Sequence, residues 1–196
     1  MLQDVTYYRR FRMEINLRQR ELPLANLPEG YLWTAWNHSV DIHTVLERHA
    51  ETKHLCFRDE LDSRVFPCLG EREGCLRLMQ DIARQSSFLP EATWLISYRS
   101  LEDDLLHDVG TIQGLAHTSM VGAIQNVGVI PEHRSLGLGR ALVLRCLHGF
   151  QQIGIPRVSL EVTADNRQAI ELYKKIGFRI VRTMYRDAEP RPTSLY

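Results

Sequence analysis

Apolar and polar residues alternate along the first part of the chain. Between positions 7 and 17 most odd-numbered residues are apolar, including Phe11, Met13 and Ile15, whereas most even-numbered ones are polar or charged. A repeat of two residues is that of a β-strand with one buried face. The pattern therefore predicts a strand over residues 7–17, with its arginines on a solvated polar face.

Apolar residues spaced three and four apart predict four amphipathic helices further along the chain. They cover residues 38–50, 75–84, 137–152 and 166–176. Gly154 and Pro156 end the third helix. Asp165 is the candidate N-cap of the fourth helix, which ends before Gly177. The first two helices are joined by a broken pattern around residues 66–70, which we expect to be a loop positioned to border a substrate.

Short runs of apolar and β-branched residues, separated by polar turns, predict five further strands. They cover residues 93–98, 110–117, 123–130, 157–163 and 178–185. In the strand 157–163 the apolar residues alternate with Ser159, Glu161 and Thr163. Because successive side chains of a strand point to opposite faces, this polar face is available to line a cleft.

Charge is balanced over the whole chain, with 24 lysine and arginine residues against 24 aspartate and glutamate residues. A neutral molecule has no strong field that steers it to nucleic acid or to an anionic membrane surface. The arginines of the first strand would also suit a nucleic-acid-binding arm, but in a neutral chain a solvated strand face is favoured. No apolar run reaches the roughly 18 residues of a membrane span, and the N-terminal residues lack a secretion-signal pattern. We therefore expect a cytoplasmic protein, with neither nucleic acid nor membrane as a partner.

The cysteines and histidines do not form a metal-binding pattern. The cysteines are Cys56, Cys68, Cys75 and Cys146. Four of the eight histidines fall close together, at His38, His43, His49 and His54. The cysteines lack C-x-x-C spacing, and the spacings between these histidines do not align them at i and i+4 on one helical face. We expect reduced, packed thiols and no metal.

A glycine-rich segment separates the strand 123–130 from the helix 137–152. Its residues are Arg134-Ser135-Leu136-Gly137-Leu138-Gly139. Glycines let the backbone curl and expose successive N–H groups, and the positive end of the following helix adds to their attraction for an anion. Such a loop suits a diphosphate without needing a lysine. The pattern R-x-x-G-x-G is weak by itself, because a glycine-rich turn also arises where a strand and a helix pack closely.

Two separated motifs give the chain a resemblance to a known family. The first begins with Val127, Gly128 and Val129 and runs through the glycine loop. The second is Asn166-x-x-Ala169-x-x-Leu172-Tyr173-x-x-x-Gly177-Phe178. In residues and in order they resemble the GCN5-related N-acetyltransferase (GNAT) superfamily. The resemblance implies an α/β (α+β) fold with a mixed, mostly antiparallel central sheet, helices on both faces, and a splayed strand pair that forms an acyl-CoA cleft.

The resemblance also implies how acetyl-CoA, the acyl donor, is held. The loop of residues 134–139 binds the coenzyme A pyrophosphate through its amides, while the backbone of residues 127–129 pairs with the pantetheine arm like an added strand. Asn166, the first residue of the second motif, is also implied to bind this cofactor. Arg140, just inside the helix, is placed to reach a phosphate, although an arginine in such a position is often only solvated surface.

Two titratable side chains are candidates for the proton transfers of acyl transfer. The amine must be neutral when it attacks, and the departing thiolate gains from a proton donor. By the resemblance, Tyr173 lies beside the coenzyme A sulfur as the acid, although it also falls on the apolar face of its helix. Glu161 matches the glutamate proposed as the base in ribosomal-protein N-terminal acetyltransferases, a position where glutamate elsewhere has a structural role. His133 and His117 are lesser candidates.

We expect one domain over residues 1–196, since this length supports a single hydrophobic core. Residues 37–84 are predicted to form the helices of a substrate lobe, residues 107–185 the acyl-CoA-binding core, and residues 187–196 a proline-interrupted tail. The family usually has a further strand at that end. In this chain we expect it to be lost, shortened or supplied by a partner chain, as in a homodimer.

The sequence thus predicts an N-acetyltransferase that transfers an acetyl group from acetyl-CoA to a primary amine by direct attack in a ternary complex. The acceptor is a small-molecule amine or a protein N-terminus. Three alternatives are transfer of another acyl group, a non-catalytic acyl-CoA-binding module, and a structural interaction domain. The presence of Tyr173 argues against a non-catalytic acyl-CoA-binding module, and the intact glycine loop argues against a structural interaction domain.

Overall fold

The computed structural model describes residues 7–36, 41–100 and 104–187. The predicted start of the first helix at His38 and residues 188–196 of the predicted tail lie outside these ranges.

A seven-stranded sheet forms the centre of the fold. Its strands are β1 (Tyr7–Asn16), β2 (Tyr31–Ala35), β3 (Phe88–Arg99), β4 (Leu106–Thr118), β5 (Val121–Val129), β6 (Arg157–Thr163) and β7 (Arg179–Asp187). They lie in the order β2-β3-β4-β5-β6-β1-β7. Each neighbouring pair is antiparallel except β5 and β6, which are parallel. The predicted mixed, mostly antiparallel sheet is confirmed.

Helices pack against both faces of this sheet. They are α1 (Ile42–Phe57), α2 (Leu61–Val65), α3 (Arg72–Arg84), α4 (Leu138–Gln152) and α5 (Arg167–Ile176), with 3₁₀ turns at Pro67–Gly70 and Pro131–His133. One hydrophobic cluster, which includes Leu142 and Phe150, packs α4 and α5 against the sheet. A second cluster, which includes Met79, joins α1 and α3. The helices thus enclose the sheet and leave its parallel strand pair as the place where it opens.

Helix α1 is longer than the sequence pattern indicates. The predicted helix ends at residue 50, but α1 continues to Phe57. The reason is Lys53, whose charge interrupts the apolar stripe in the sequence although its side chain is fully buried. The predicted inner face is confirmed, since Val45, Leu46 and His49 are buried.

Two other local expectations were wrong. Asp165 is not the N-cap of α5; Asn166 caps it, because its Oδ1 accepts a hydrogen bond from the Ala169 N–H at 3.2 Å. Strand β2 was missed in the sequence, because it is only five residues long, lies at the edge of the sheet and alternates little between buried and exposed positions.

Strand β1 lies inside the sheet, between β6 and β7, and pairs antiparallel with both. Arg10, expected on a solvated face, is only 6% exposed. The expectation was wrong because the segment after α1 covers that face of β1, and the Arg10 guanidinium lies 4.7 Å from the centre of the Phe66 ring. The two ends of the described chain therefore meet beside β6, and β1 carries charged side chains into the interior.

Candidate active site

Strands β5 and β6 separate after a short stretch of parallel pairing. Their ladder ends at the pair Ala123 and Ser159, while β5 continues alongside β4. Asn126, with φ of 51°, lies where the register between β4 and β5 shifts. Beyond it, the backbone of residues 127–129 is open towards β6. This is the edge that the resemblance assigns to the pantetheine arm.

A pocket of about 410 Å³ occupies the opening between these strands. Its polar lining includes Arg10, Arg12, Asp62, His117, Ser159, Glu161, Asn166, Tyr173 and Arg186. The segment around residues 66–70, expected to border a substrate, contributes Phe66, Cys68 and Leu69 to the wall. The pocket therefore brings together residues from both ends of the chain, from β5 and β6, and from the helical segment that follows α1.

Helix α4 begins without a side-chain cap. Its N-cap residue is Gly137, in the left-handed conformation with φ of 82°, and no side chain accepts from its first N–H groups. A Cβ on Gly137 would meet no atom within 4 Å, and Ser135 and Leu136 are exposed. Leu138 is buried and anchors the loop in the core. The loop at Gly137 thus borders open space at the positive end of a 15-residue helix, a geometry that suits an anionic group.

Some of the other residues of the two motifs serve packing, and others line the cleft. Gly128 gives room to α1, because a Cβ there would lie 2.7 Å from the Cβ of Cys56. A Cβ on Gly139 would lie 3.6 Å from a side chain of α5, an ordinary contact. Asn166 caps α5 and also lines the pocket. Arg140, the third residue of α4, is exposed.

The guanidinium of Arg134 is engaged inside the protein. Its Nε donates to the Val129 carbonyl at 3.0 Å, and its Nη2 donates to the Cys56 carbonyl at 3.1 Å. Its Nη1 donates to Glu60 Oε1 at 2.5 Å. The side chain therefore joins the end of β5 to α1 and the turn after it, which fixes the start of the glycine loop.

Tyr173 faces both the core and the pocket. It is buried on α5, its ring packs against Phe178 with centroids 6.0 Å apart, and it lines the pocket. Burial, together with the negative charge of Asp62, raises the pKa of Tyr173 well above its usual value. Its phenol is therefore protonated at neutral pH and able to donate a proton. No side chain or backbone group of the described residues forms a hydrogen bond with this hydroxyl.

Arg10 and Asp62 are charged pocket residues that the sequence did not identify. Thr163 links them: its Oγ1 accepts from Arg10 Nη1 at 3.0 Å and donates to Asp62 Oδ1 at 3.1 Å. Arg10 also lies 3.8 Å from both Asp62 Oδ1 and Glu161 Oε2. Burial raises the pKa of Asp62, opposed by Arg10 and by the Thr163 hydrogen bond. The only signal in the sequence was the closeness of Asp62 to the loop expected to border a substrate.

The remaining proton-transfer candidates lie in different places. Glu161 lines the pocket with a side chain that is 49% exposed, and His117 also lines it. His133 does not line it: its Nδ1 lies 2.7 Å from the Tyr31 hydroxyl, and its ring packs near Tyr98. Three of the four residues named from the sequence therefore line one pocket.

Within the described residues, no three histidine, cysteine, aspartate or glutamate side chains are grouped so that they could hold a metal ion. In the same ranges, no helix is both long enough and apolar enough to cross a membrane. The four cysteines are free thiols, and three of them are buried.

Comparison with known proteins agrees with the two motifs. Residues 76–178 match the model of the Acetyltransferase (GNAT) family. The mycothiol acetyltransferase of Thermobifida fusca is 32% identical over 179 residues, which cover 87% of this chain and 53% of that protein. The mycothiol acetyltransferase of Kocuria rhizophila is 35% identical over 173 residues, 86% of this chain and 53% of that protein. The chain thus spans about half the length of these relatives.

Solved structures share the fold. A GCN5-related N-acetyltransferase from Sphaerobacter thermophilus superposes with a TM-score of 0.64 at 22% identity, covering 95% of this chain and 54% of that one. The ribosomal-protein-S18-alanine N-acetyltransferase of Escherichia coli superposes with a TM-score of 0.56 at 15% identity, covering 85% of this chain and 99% of that one. At these identities the likeness concerns the fold alone. Given the family match over more than half of its length and the agreement of motifs and sheet, the chain belongs to the GNAT family of acetyltransferases.

Proposed function

We propose that this chain is an acetyl-CoA-dependent N-acetyltransferase that acylates a primary amine by direct attack within a ternary complex. The observation that carries the proposal is the opening between β5 and β6. It has the backbone edge of residues 127–129, which no longer pairs with β6, on one side and Tyr173 near the other, and the uncapped N-terminus of α4 follows this edge in the chain.

Each part of the donor has a matching element along this path. The amides of residues 134–139 and the exposed Arg140 bind the diphosphate, which needs hydrogen-bond donors and positive potential. The edge of residues 127–129 pairs with the amides of the pantetheine arm, and Asn166 borders the same opening. The thioester then reaches the pocket beside Tyr173, whose protonated phenol supplies the proton that the departing thiolate takes up.

The amine must give up a proton before its nitrogen can attack the thioester carbonyl. The sequence predicts Glu161 for that role, and the pocket holds a second carboxylate, Asp62. Holding the amine against the thioester makes a bimolecular reaction effectively unimolecular, and this accounts for much of the rate acceleration by such an enzyme.

A small-molecule amine is the acceptor class that we favour. The curated relatives are named mycothiol acetyltransferase, and that name supports a small molecule related to mycothiol over a protein N-terminus. The size of the pocket and its many polar side chains suit an acceptor that is itself small and polar.

Two measurements on one sample test this function. Titration calorimetry measures binding of acetyl-CoA, and a thiol reagent measures release of coenzyme A in the presence of primary amines, including amino sugars, cysteine-containing amines and short peptides with free N-termini. We expect binding together with amine-dependent thiol release. Binding without release in the whole panel would favour a non-catalytic acyl-CoA module, and absence of binding would exclude both readings. Faster release from succinyl-CoA than from acetyl-CoA would identify a different acyl group.

A further inference from the structure

Asp62 is the more enclosed of the two carboxylates in the pocket. Its side chain is 21% exposed, against 49% for Glu161. Thr163 holds Oδ1 at 3.1 Å, and Arg10 lies 3.8 Å from the same oxygen. No hydrogen bond from the described residues reaches Oδ2. One carboxylate oxygen is thus fixed by the protein, and the other is left for a ligand of the pocket.

Arg10 separates the two carboxylates and gives them different surroundings. It is itself almost fully buried, and its Nε, 3.8 Å from Glu161, has no hydrogen-bond partner among the described residues. A buried arginine with an unsatisfied N–H favours a nearby carboxylate in the charged state. Since Glu161 is half exposed, solvent screens its charge more strongly than that of Asp62.

We propose that Asp62 binds the ammonium group of the acceptor and takes up its proton, with Glu161 outside this step. This assignment rests on the proposed N-acetyltransferase function and names its base. Asp62 belongs to α2 and lines the same pocket as Tyr173 of α5. An acceptor nitrogen held at Oδ2 would therefore lie in the same pocket as the residue that protonates the sulfur.

The protons and bonds of this step balance. The ammonium transfers one proton to Asp62, which becomes a neutral carboxylic acid, and the freed nitrogen lone pair forms the bond to the thioester carbon. The C–S bond then breaks and the sulfur takes the proton of Tyr173. The second proton lost by the nitrogen restores the Tyr173 phenol, and Asp62 returns its proton to water.

The surroundings of Asp62 suit a proton acceptor. Facing it are Arg10 from β1, Thr163 from β6 and Tyr173 from α5, with Glu60 just before it in the chain. Arg186 of β7 lines the same pocket, and its charge lowers the pKa of Arg10. Burial outweighs these partners and raises the pKa of the Asp62 carboxyl, which makes it a stronger base than an ordinary aspartate.

Asp62→Asn tests the assignment, because the amide keeps the shape and can still accept from Thr163. With the primary amine that gives the fastest thiol release, kcat/KM at pH 7 should fall about 100-fold or more, while the dissociation constant of acetyl-CoA stays within about twofold. The wild-type profile of kcat/KM should show a plateau between the pKa of Asp62 and that of the amine. In the variant the plateau should be replaced by a rise of about tenfold per pH unit up to the pKa of the amine, because only the free amine can then react.

Matched variants separate this role from a structural one. Glu161→Gln should lose less activity and keep the plateau, and Asp165→Asn, the same change on an exposed residue outside the pocket, should behave as wild type. Asp62→Glu, which retains a carboxylate, should recover the plateau and serves as the test if the asparagine variant does not fold. A plateau that persists in Asp62→Asn, or that disappears in Glu161→Gln, would overturn the assignment while leaving the proposed function intact. Failure of the wild-type protein to release thiol with any amine would overturn both.

Discussion

At the scale of single residues, the spacing of a motif does not tell which side chains contact the ligand. Gly137 and Leu138 are neighbours in the glycine loop, yet one faces open space and the other is buried in the core. Arg134 begins the loop, but its guanidinium binds Glu60, 74 residues earlier in the chain. The sequence predicted the loop correctly, and it could not predict these side-chain roles because they depend on partners that only the fold brings close.

Removal of the Tyr173 hydroxyl should slow the chemical step without weakening donor binding. Tyr173→Phe keeps the packing against Phe178 and removes the proton donor, so kcat should fall about 100- to 10,000-fold with an unchanged dissociation constant for acetyl-CoA. Since burial raises the pKa of Tyr173, the wild-type rate should not fall through loss of this proton until well above pH 10. Tyr185→Phe, at an exposed position, is the control. A Tyr173→Phe enzyme with wild-type kcat across the pH range would remove this residue from the mechanism.

A side chain at Gly137 should obstruct the diphosphate. Gly154 provides a matched control, because both glycines have left-handed backbones, with φ of 82° and 79°. A Cβ added to either one would meet no atom within 4 Å. Asparagine tolerates this conformation better than other side chains, so both Gly137→Asn and Gly154→Asn should fold. Calorimetry should show the dissociation constant of acetyl-CoA raised about tenfold or more in the first variant only. Equal affinities in both variants would show that the diphosphate binds elsewhere.

At the scale of elements, α1 shows where periodicity in the sequence loses information. Its inner face holds two buried bases, His49 and Lys53. Burial lowers the pKa of His49 to about 3 and that of Lys53 to about 7, so His49 is neutral in the core and Lys53 loses its charge close to neutral pH. Hydropathy counts them as polar, and the predicted helix therefore ended too early. Strand β6, in contrast, was predicted with its observed ends because its apolar face alternates regularly.

The buried Lys53 should make folding stability depend on pH. Between its folded pKa of about 7 and the ordinary value of 10.5, the unfolded chain carries a proton that the folded chain lacks, so the free energy of unfolding rises with pH in this window. Lys53→Met removes the effect. From pH 7.5 to 8.5 the wild-type free energy of unfolding should rise by about 1 kcal/mol per pH unit more than that of the variant. Urea unfolding at each pH measures this free energy, and Lys175→Met, at an exposed position, is the control. If the free energies of unfolding of wild type and Lys53→Met change with pH in parallel, Lys53 remains charged in the folded protein and the prediction is wrong.

At the scale of the whole molecule, the fold class could be predicted and the position of the first strand could not. Two motifs in the second half of the chain implied the family and its open sheet. The alternation of residues 7–17 did not indicate that β1 would lie between β6 and β7, because pairing between strands so far apart in the sequence is set by the complete sheet. The consequence is functional, because β1 brings Arg10 to within 3.0 Å of Thr163, 153 residues later.

Acetyl-CoA should stabilise the whole domain, because the proposed site draws on β5, α4 and α5 together. At a free concentration of 100 times its dissociation constant, a ligand that binds only the folded state adds about 2.7 kcal/mol to the free energy of unfolding. For a chain of this length, Tm should rise by about 5–10 °C. Differential scanning calorimetry should show this shift for wild type and about half of it or less for Gly137→Asn at the same ligand concentration. An equal shift in both proteins would place the cofactor away from the glycine loop.

The most direct measurement of the central claim follows the acetyl group itself. The protein is incubated with acetyl-CoA that carries a deuterated acetyl group and with the best amine of the panel, and mass spectrometry is applied to both the amine and the intact protein. Direct attack in a ternary complex predicts that the label appears on the amine in step with release of coenzyme A, while the protein mass stays unchanged during turnover. Label that accumulates on the protein and then passes to the amine, or thiol release without any labelled amine, would contradict the account.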